Sequence, residues 1–184
     1  MVVAAHIANL QLLTGQEGAA TQWALEYQAV RGEQPYEFAE LTLVRVLLKT
    51  GERENIPSIL EALLKRGQAQ GRVRTVIESM ILMALFHRAE KDIPTAVDWL
   101  SQALGLAAPE GFIRIFLDEG KALLDLLPKA RQAAPELVDA ILSIQQSEKD
   151  SDPSPLDQLP DPLSEQELRV LGLIVAGKTN REIA

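Results

Sequence analysis

Apolar residues recur at three- and four-residue spacing along most of the chain, and Gly or Pro interrupts the pattern at short intervals. No segment alternates apolar and polar residues for long enough to predict a half-buried strand. The pattern therefore predicts an all-α fold. We expect helices over residues 3–14, 16–30, 36–49, 53–69, 72–89, 93–107, 110–117, 120–131 and 135–147.

Two segments of the chain are similar to each other at an offset of 37 residues, Ile56–Leu64 and Ile93–Ser101. In both, an Ile-Pro pair opens a predicted helix, where the missing N–H of proline costs nothing. The preceding predicted helices align with the same shift. A helical hairpin repeated at roughly 34–40 residues is typical of tetratricopeptide-like arrays. The sequence thus predicts an α–α superhelix, and residues 3–30 are expected to form an earlier, more degenerate copy.

Residues 148–162 differ from what precedes them. Four of the ten prolines lie between Pro153 and Pro162, among acidic residues. Such a segment buries too little apolar surface to offset its ordering entropy, and it is typical of a linker. We therefore predict a helical-repeat domain over 1–147, a linker over 148–162, and a second helical segment over 163–184.

Composition narrows the function. The net charge of −8 and the absence of a Lys/Arg cluster indicate that the bulk of the chain does not read nucleic acid. The absence of cysteine excludes disulfides, a thiol nucleophile and cysteine-based metal sites. No basic leader and no apolar run of about 18 residues is present, so we expect a cytoplasmic protein without membrane contact. Both ends of the sequence look like cuts inside helices, and we expect a fragment.

The last 22 residues carry the most specific motif. Ser164 and Glu167 form a capping box, and apolar residues then follow at helical spacing. Gly177 is placed to end this helix in a left-handed conformation, and Thr179 or Asn180 can cap the next one. The segment predicts a helix, a tight turn and the start of a second helix.

This segment, LSEQELRVLGLIVAGKTNREIA, resembles the opening of the LuxR-type helix-turn-helix. The family often has Arg at the position of Gln166 and Glu at the position of Arg169. In addition, Pro109–Leu127 is similar to a stretch that commonly precedes the DNA-binding domain in large MalT-like regulators. The residues that match the LuxR pattern are Leu163, Ser164, Glu167, Val170, Leu171, Leu173, Ile174, Gly177, Thr179, Asn180, Glu182, Ile183 and Ala184.

The resemblance implies a bacterial transcriptional regulator whose repeat domain senses a small-molecule inducer or a regulatory protein. It implies ATP as the cofactor of a domain upstream, and no cofactor, metal or catalysis in this chain. DNA is a partner of the intact protein only, because the recognition helix of the family follows the segment where this chain stops. In that intact protein, contacts to DNA phosphate are expected from Lys178, Thr179, Asn180 and Arg181. The sequence identifies neither the inducer nor the oligomeric state, and both a monomer and a homo-oligomer are compatible with it.

Two other functions stay open. One is a generic tetratricopeptide-like scaffold that binds a peptide or a protein. The other is a nucleotide-binding enzyme, since Gly172–Thr179 fits the phosphate-loop pattern G-x-x-x-x-G-K-[ST]. That pattern requires a preceding strand, whereas the segment before it predicts an amphipathic helix. A nucleotide-binding enzyme is therefore the weaker of these two alternatives.

Several single residues have structural interpretations. We expect His6 and His87 to be isolated surface or interhelical residues, and Trp23 and Trp99 to pack against the core. Asp118 and Glu119 are adjacent on the chain and would point in different directions on a helix, so we expect them at a helix terminus rather than as an acid/base pair. The core-filling methionines on a very apolar helix are expected to be Met80 and Met83.

Overall fold

A computed structural model describes residues 2–32 and 35–150, with side chains as far as residue 147. Every regular element within these residues is helical, as predicted. None of the described helices combines the length and apolarity needed to cross a membrane. The helices are α1 Val2–Leu13, α2 Glu17–Val30, α3 Glu37–Thr50, α4 Ile56–Ala69, α5 Val73–Ala89, α6 Ile93–Ala107, α7 Arg114–Leu117, α8 Lys121–Leu124, α9 Leu127–Ala130 and α10 Pro135–Asp150.

Helices α1 to α6 form three successive hairpins, which confirms the predicted repeat. Helix α3 packs against α1, α2, α4 and α5, and α5 packs against α4 and α6. The Ile-Pro pairs open α4 and α6 as expected, with the prolines in the first turn of each helix. Because each hairpin contacts mainly its neighbours, the hairpins stack in a row. The hairpins belong to a compact unit that spans Met1–Gln145.

Helices α4 and α5 end in the same way. Gly71 and Lys91 both have a φ of +65° and lie just past the helix C-terminus. In each case the next amide donates to a helix carbonyl, at 2.8 Å and 2.9 Å. Glycine takes this left-handed conformation without steric cost, whereas a lysine is strained in it. The same turn is therefore built with an unstrained residue in one repeat and a strained one in the next.

The core runs continuously through the stacked hairpins and into α7 to α10. Helices α4 and α5 approach closely where Gly67 faces Val76: a Cβ atom at Gly67 would lie 2.9 Å from Val76 Cγ2. The largest fully buried side chains are Phe116, Leu43, Ile56, Leu60, Leu63, Ile77, Ile81, Leu82, Leu100, Leu104, Leu123 and Leu127.

The segment after α6 differs from the prediction. The helix expected over 110–117 begins only at Arg114, and the single helix expected over 120–131 is broken into α8, α9 and a 3-10 turn over Arg131–Ala133. The reason is Pro128, which has no N–H to donate to the carbonyl of Leu124. Short bonds between residues three apart carry the chain through the break, from Leu126 N–H to Leu123 and from Lys129 N–H to Leu126.

Helix α10 continues to Asp150, so the first three residues of the predicted linker 148–162 are helical. Residues 151–184 lie outside the described residues. The rest of the predicted linker, the LuxR-like segment, the phosphate-loop pattern at Gly172–Thr179 and the four expected DNA contacts Lys178, Thr179, Asn180 and Arg181 all belong to this part. They stay predictions.

Candidate ligand-binding site

A pocket of about 540 Å³ lies between α1, α3 and α5, which are the first helices of the three hairpins, and the turn that joins α7 to α8. Its lining begins at Asn9 in α1 and ends at Ala122 in α8. Pockets of roughly 300–1,000 Å³ are typical of small-molecule sites. A second cavity of about 410 Å³ is smaller, and its lining includes Arg31, Gly32 and Pro35. The larger pocket is therefore the candidate site.

Helical periodicity explains which side chains reach the pocket. On α3 the lining residues Phe38, Arg45 and Leu48 recur at spacings of seven and three residues, and Lys49 lies next to Leu48. On α5 the lining residues Arg74, Glu78 and Leu85 recur at spacings of four and seven residues. Residues at these spacings share one helix face. Each first helix thus turns one face to its own hairpin and another to the pocket.

The polar centre of the site is Arg45. Its Nε and Nη2 donate to Glu119 Oε1 at 2.8 Å and 2.6 Å, and Nη2 donates to Glu78 Oε2 at 3.1 Å. The side chains of Arg45, Glu78 and Glu119 are only 17%, 8% and 7% exposed. Burial lowers the pKa of Arg45, but the charges and hydrogen bonds of the two carboxylates outweigh burial and raise it. This cluster, the Arg45 cluster, joins α3, α5 and the α7–α8 turn.

The α7–α8 turn depends on Gly120. Its φ of 73° and ψ of −166° belong to a region of backbone conformation that is essentially restricted to glycine. Asp118 is 43% exposed and pairs with Arg114 four residues earlier, at 2.8 Å. Glu119 instead points inward to Arg45, a residue 74 positions away. Both residues lie at a helix terminus as predicted, since Asp118 ends α7 and Glu119 directly precedes the N-cap of α8. The sequence analysis did not predict that Glu119 is buried against a cation from a distant part of the chain.

A further buried carboxylate, Glu37, links the second hairpin to the third outside the Arg45 cluster. It accepts hydrogen bonds from Arg66 at 3.2 Å and from Thr75 at 2.9 Å, and it forms an ion pair with Arg72 at 3.1 Å. Burial raises the pKa of Glu37, but the hydrogen bonds from Thr75 and Arg72 and the charges of Arg72 and Arg66 outweigh it and leave the pKa below its usual range. The carboxylate fastens α3 to α4 and α5.

Another buried carboxylate, Glu40, joins the first hairpin to the second. Its two oxygens accept hydrogen bonds from the hydroxyl of Tyr27 at 2.8 Å and from Arg31 at 2.5 Å. Burial raises the pKa of Tyr27, and the hydrogen bond and charge of Glu40 raise it further. Tyr27 therefore stays a neutral donor across the physiological range.

The histidines do not form a site together. His6 is exposed and stacks on Phe38 with ring centroids 4.0 Å apart. His87 lies on α5 with Nδ1 3.5 Å from Asp92 Oδ2, a contact that the sequence analysis did not anticipate. Within the described residues, no group of three or more His, Asp or Glu side chains is arranged to hold a metal ion.

The tryptophans and methionines act in packing, as expected. Trp23 and Trp99 are half-buried against the core, and Trp23 stacks on Tyr27 at 5.1 Å. Neither tryptophan lines the pocket. Met80 and Met83 are buried, at 6% and 4% exposure.

The sequence analysis missed the polar centre of the site. A signal was present, because Arg45 interrupts the apolar run LTLVRVLL and Glu78 interrupts VIESMILM. A charge inside an apolar run is buried only when a partner is available. The partner could not be found in the sequence, since Glu119 follows Arg45 by 74 positions and belongs to a different part of the chain.

Comparison with known proteins agrees with this architecture. No curated protein and no solved structure matches the chain. Residues 1–133 match the protein family described as the MalT-like TPR region, and this match includes α1 to α9 and the entire pocket. We conclude that the chain belongs to the MalT-like TPR region family.

Proposed function

We propose that this chain is the sensor module of a MalT-like transcriptional regulator. In this proposal the pocket takes up a small-molecule inducer, and its occupation is passed on to a LuxR-type DNA-binding segment. One observation carries the proposal: the pocket is lined by the first helices of all three hairpins together with the α7–α8 turn. A molecule bound there contacts every hairpin at once. Membership of the MalT-like TPR region family supports the same role.

In this proposal, the contacts between neighbouring hairpins couple ligand binding in the pocket to the end of the chain. In a stacked array, stability is approximately the sum of the units and of their interfaces. A ligand that touches several hairpins favours the arrangement in which those hairpins fit it best. The α7–α8 turn is held to α3 and α5 by the Arg45 cluster, and the chain runs from it through α9 to α10. A change in this turn would thus reach the helix that precedes the predicted linker.

Thermal unfolding against a panel of compounds tests the sensor role. The panel contains small sugars, aromatic metabolites, nucleotides and peptides. A ligand at about 100 times its Kd stabilises by about 2.7 kcal/mol, which raises the Tm of a chain of this length by roughly 5–10 °C. We expect one class of small molecule to give such a shift.

A variant with an obstructed pocket tests whether the shift in Tm comes from binding at this site. Ala122→Trp places an indole in the pocket and should abolish the shift, whereas Ala29→Trp adds the same group on the exposed surface of α2 and should preserve it. A shift that survives Ala122→Trp would contradict the proposed site. A response to peptides alone would favour the scaffold function, and a response to ATP alone would favour the nucleotide site at Gly172–Thr179.

Fluorescence anisotropy with a labelled duplex tests the coupling to DNA. We expect the 184-residue chain to bind no tighter than non-specific complexes do, with a Kd of about 10⁻⁴–10⁻⁶ M at physiological salt, because it carries a net charge of −8 and no cluster of Lys and Arg. The intact regulator should bind its own site far more tightly. Nanomolar, sequence-specific binding by this chain alone would overturn the assignment of its last residues.

A further inference from the structure

The side chains that line the pocket carry a net positive charge, whereas the net charge of the whole chain is negative. Five cationic side chains and three carboxylates line the pocket, an excess of two positive charges, whereas the chain carries a net charge of −8. A cleft of one sign with apolar walls focuses the electrostatic field and attracts ions of the other sign. The cations are Arg45, Lys49, Arg74, Arg88 and Lys121, and the carboxylates are Glu78, Asp118 and Glu119.

The three carboxylates already have cationic partners within the protein. Arg45 lies between Glu78 and Glu119, and Asp118 pairs with Arg114, which is not part of the lining. The negative charge of the pocket is therefore compensated before any ligand enters. A cationic ligand would have to compete with these arginines for the carboxylates, and displacing Arg45 would deprive a buried arginine of one of its two partners.

The positive charge that remains lies at the rim. Lys49 Nζ is 3.6 Å from Glu17, in a pair whose side chains are 60% and 57% exposed. Arg88 reaches Asp125 only at 3.8 Å. Lys121 has no carboxylate within ion-pair distance in residues 2–32 and 35–147. Exposed pairs of this kind contribute little to stability, so these three cations can turn to a ligand at small cost.

The wall between these cations is apolar. It is formed by side chains from four helices, and none of them carries a polar group. A hydrated inorganic ion would leave this wall uncovered, and a neutral polyol would use neither the wall nor the charges. The apolar side chains are Leu12, Leu13, Phe38, Leu48, Leu85 and Ile115.

We infer that the pocket binds an organic anion with an apolar body, its acidic group at Lys49, Arg88 and Lys121 and its apolar part against Phe38 and its neighbours. The inference rests on the proposed sensor function and specifies its ligand class. The volume of about 540 Å³ suits a molecule with one or two aromatic rings. Aromatic and aliphatic carboxylates, sulfonates and phosphate monoesters share this chemistry.

Two fluorescent probes that differ by one group test the inference. 8-Anilinonaphthalene-1-sulfonate is the anion, and N-phenyl-1-naphthylamine is the same aromatic body without the sulfonate. Both become fluorescent in an apolar environment. We expect the chain to bind the anion at least about tenfold more tightly at low salt, and only the affinity of the anion should fall as NaCl is added.

Variants show whether the rim cations cause the preference. The pair Lys49→Glu/Lys121→Glu should weaken binding of the anion about tenfold or more and change binding of the neutral probe less than about twofold. Lys65→Glu/Lys129→Glu makes the same charge change on the exposed surfaces of α4 and α9, outside the pocket lining, and should leave both affinities unchanged. Lys121→Gln, which only removes a charge, should give an intermediate result. Circular dichroism melting confirms that each variant is folded.

Three outcomes are distinguishable. Preferential, charge-dependent binding of the anion that Ala122→Trp abolishes supports both the inference and the pocket. Equal binding of both probes, insensitive to the lysine variants but abolished by Ala122→Trp, overturns the anion inference and leaves the sensor pocket standing. Absence of binding by either probe, or binding that Ala122→Trp does not affect, overturns the inference together with the proposed site.

Discussion

Replacement of Arg45 by methionine should destabilise the protein strongly, although the volume of the side chain is largely kept. Arg45 donates three hydrogen bonds, two of them to Glu119 at 2.6 Å and 2.8 Å. Glu78 keeps a second partner in the variant, since Arg74 Nε lies 2.7 Å from its Oε1. Glu119, at 7% exposure, is left as a buried carboxylate whose cationic partner has been removed.

The magnitude follows from this single orphaned charge. Breaking a buried ion pair by removal of one partner costs about 3–5 kcal/mol. For a chain of this length, about 2–4 °C of Tm correspond to each kcal/mol, so the Tm of Arg45→Met should fall by roughly 6–20 °C. Urea unfolding followed by circular dichroism gives the free energy of unfolding directly.

A double variant separates lost charge compensation from lost packing. In Arg45→Met/Glu119→Gln the buried charge is gone, so we expect much of the stability to return, with a coupling free energy of about 2–3 kcal/mol. Arg131→Met is the matched control, because it breaks an ion pair with Asp139 whose side chains are 56% and 51% exposed, and it should change the Tm far less. The reasoning is refuted if Arg45→Met loses less than about 1 kcal/mol, or if the double variant is as unstable as the single one.

Three further predictions concern the hairpins. The pKa of Glu37 is lower in the folded protein than its usual value of 4.5, so its contribution to stability is complete above about pH 4.5 and is lost as the pH falls through the folded pKa. Glu37→Gln should therefore flatten the loss of unfolding free energy as the pH falls below about 4.5, and an unchanged slope would contradict this. Gly67→Ala should lower the free energy of unfolding by about 1–3 kcal/mol despite the better helix propensity of alanine, because its Cβ would lie 2.9 Å from the stiff, buried side chain of Val76. In the background of Val76→Ala the same change at residue 67 should cost no stability, as measured by urea unfolding in a double-variant cycle. At the two matching helix ends we expect opposite signs in thermal melts, with Lys91→Gly stabilising by up to about 1 kcal/mol and Gly71→Lys destabilising by about 1–2 kcal/mol; equal signs would rule out the strain argument.

Local patterns predicted the helical hairpins because the interactions that define them are local. The three- and four-residue spacing of apolar positions placed α2 to α6 within a few residues of their observed ends, and the Ile-Pro pairs marked the starts of α4 and α6. The single helix expected over 120–131 was wrong because apolar spacing was given more weight than Pro128. That proline removes one backbone donor, and three short helical segments replace the expected one.

The sequence by itself determined that the chain forms stacked helical hairpins and that they need neither disulfides nor cysteine ligands. Each of these properties depends on residues within one or two helical turns of each other. The location and charge of the pocket were decided only by the tertiary structure. Arg45, Glu78 and Glu119 lie on three separate elements, and the rim cations come from α3, α5 and α8. These side chains meet because the burial of apolar surface stacks the hairpins, and no local pattern records which distant charges that stacking brings together.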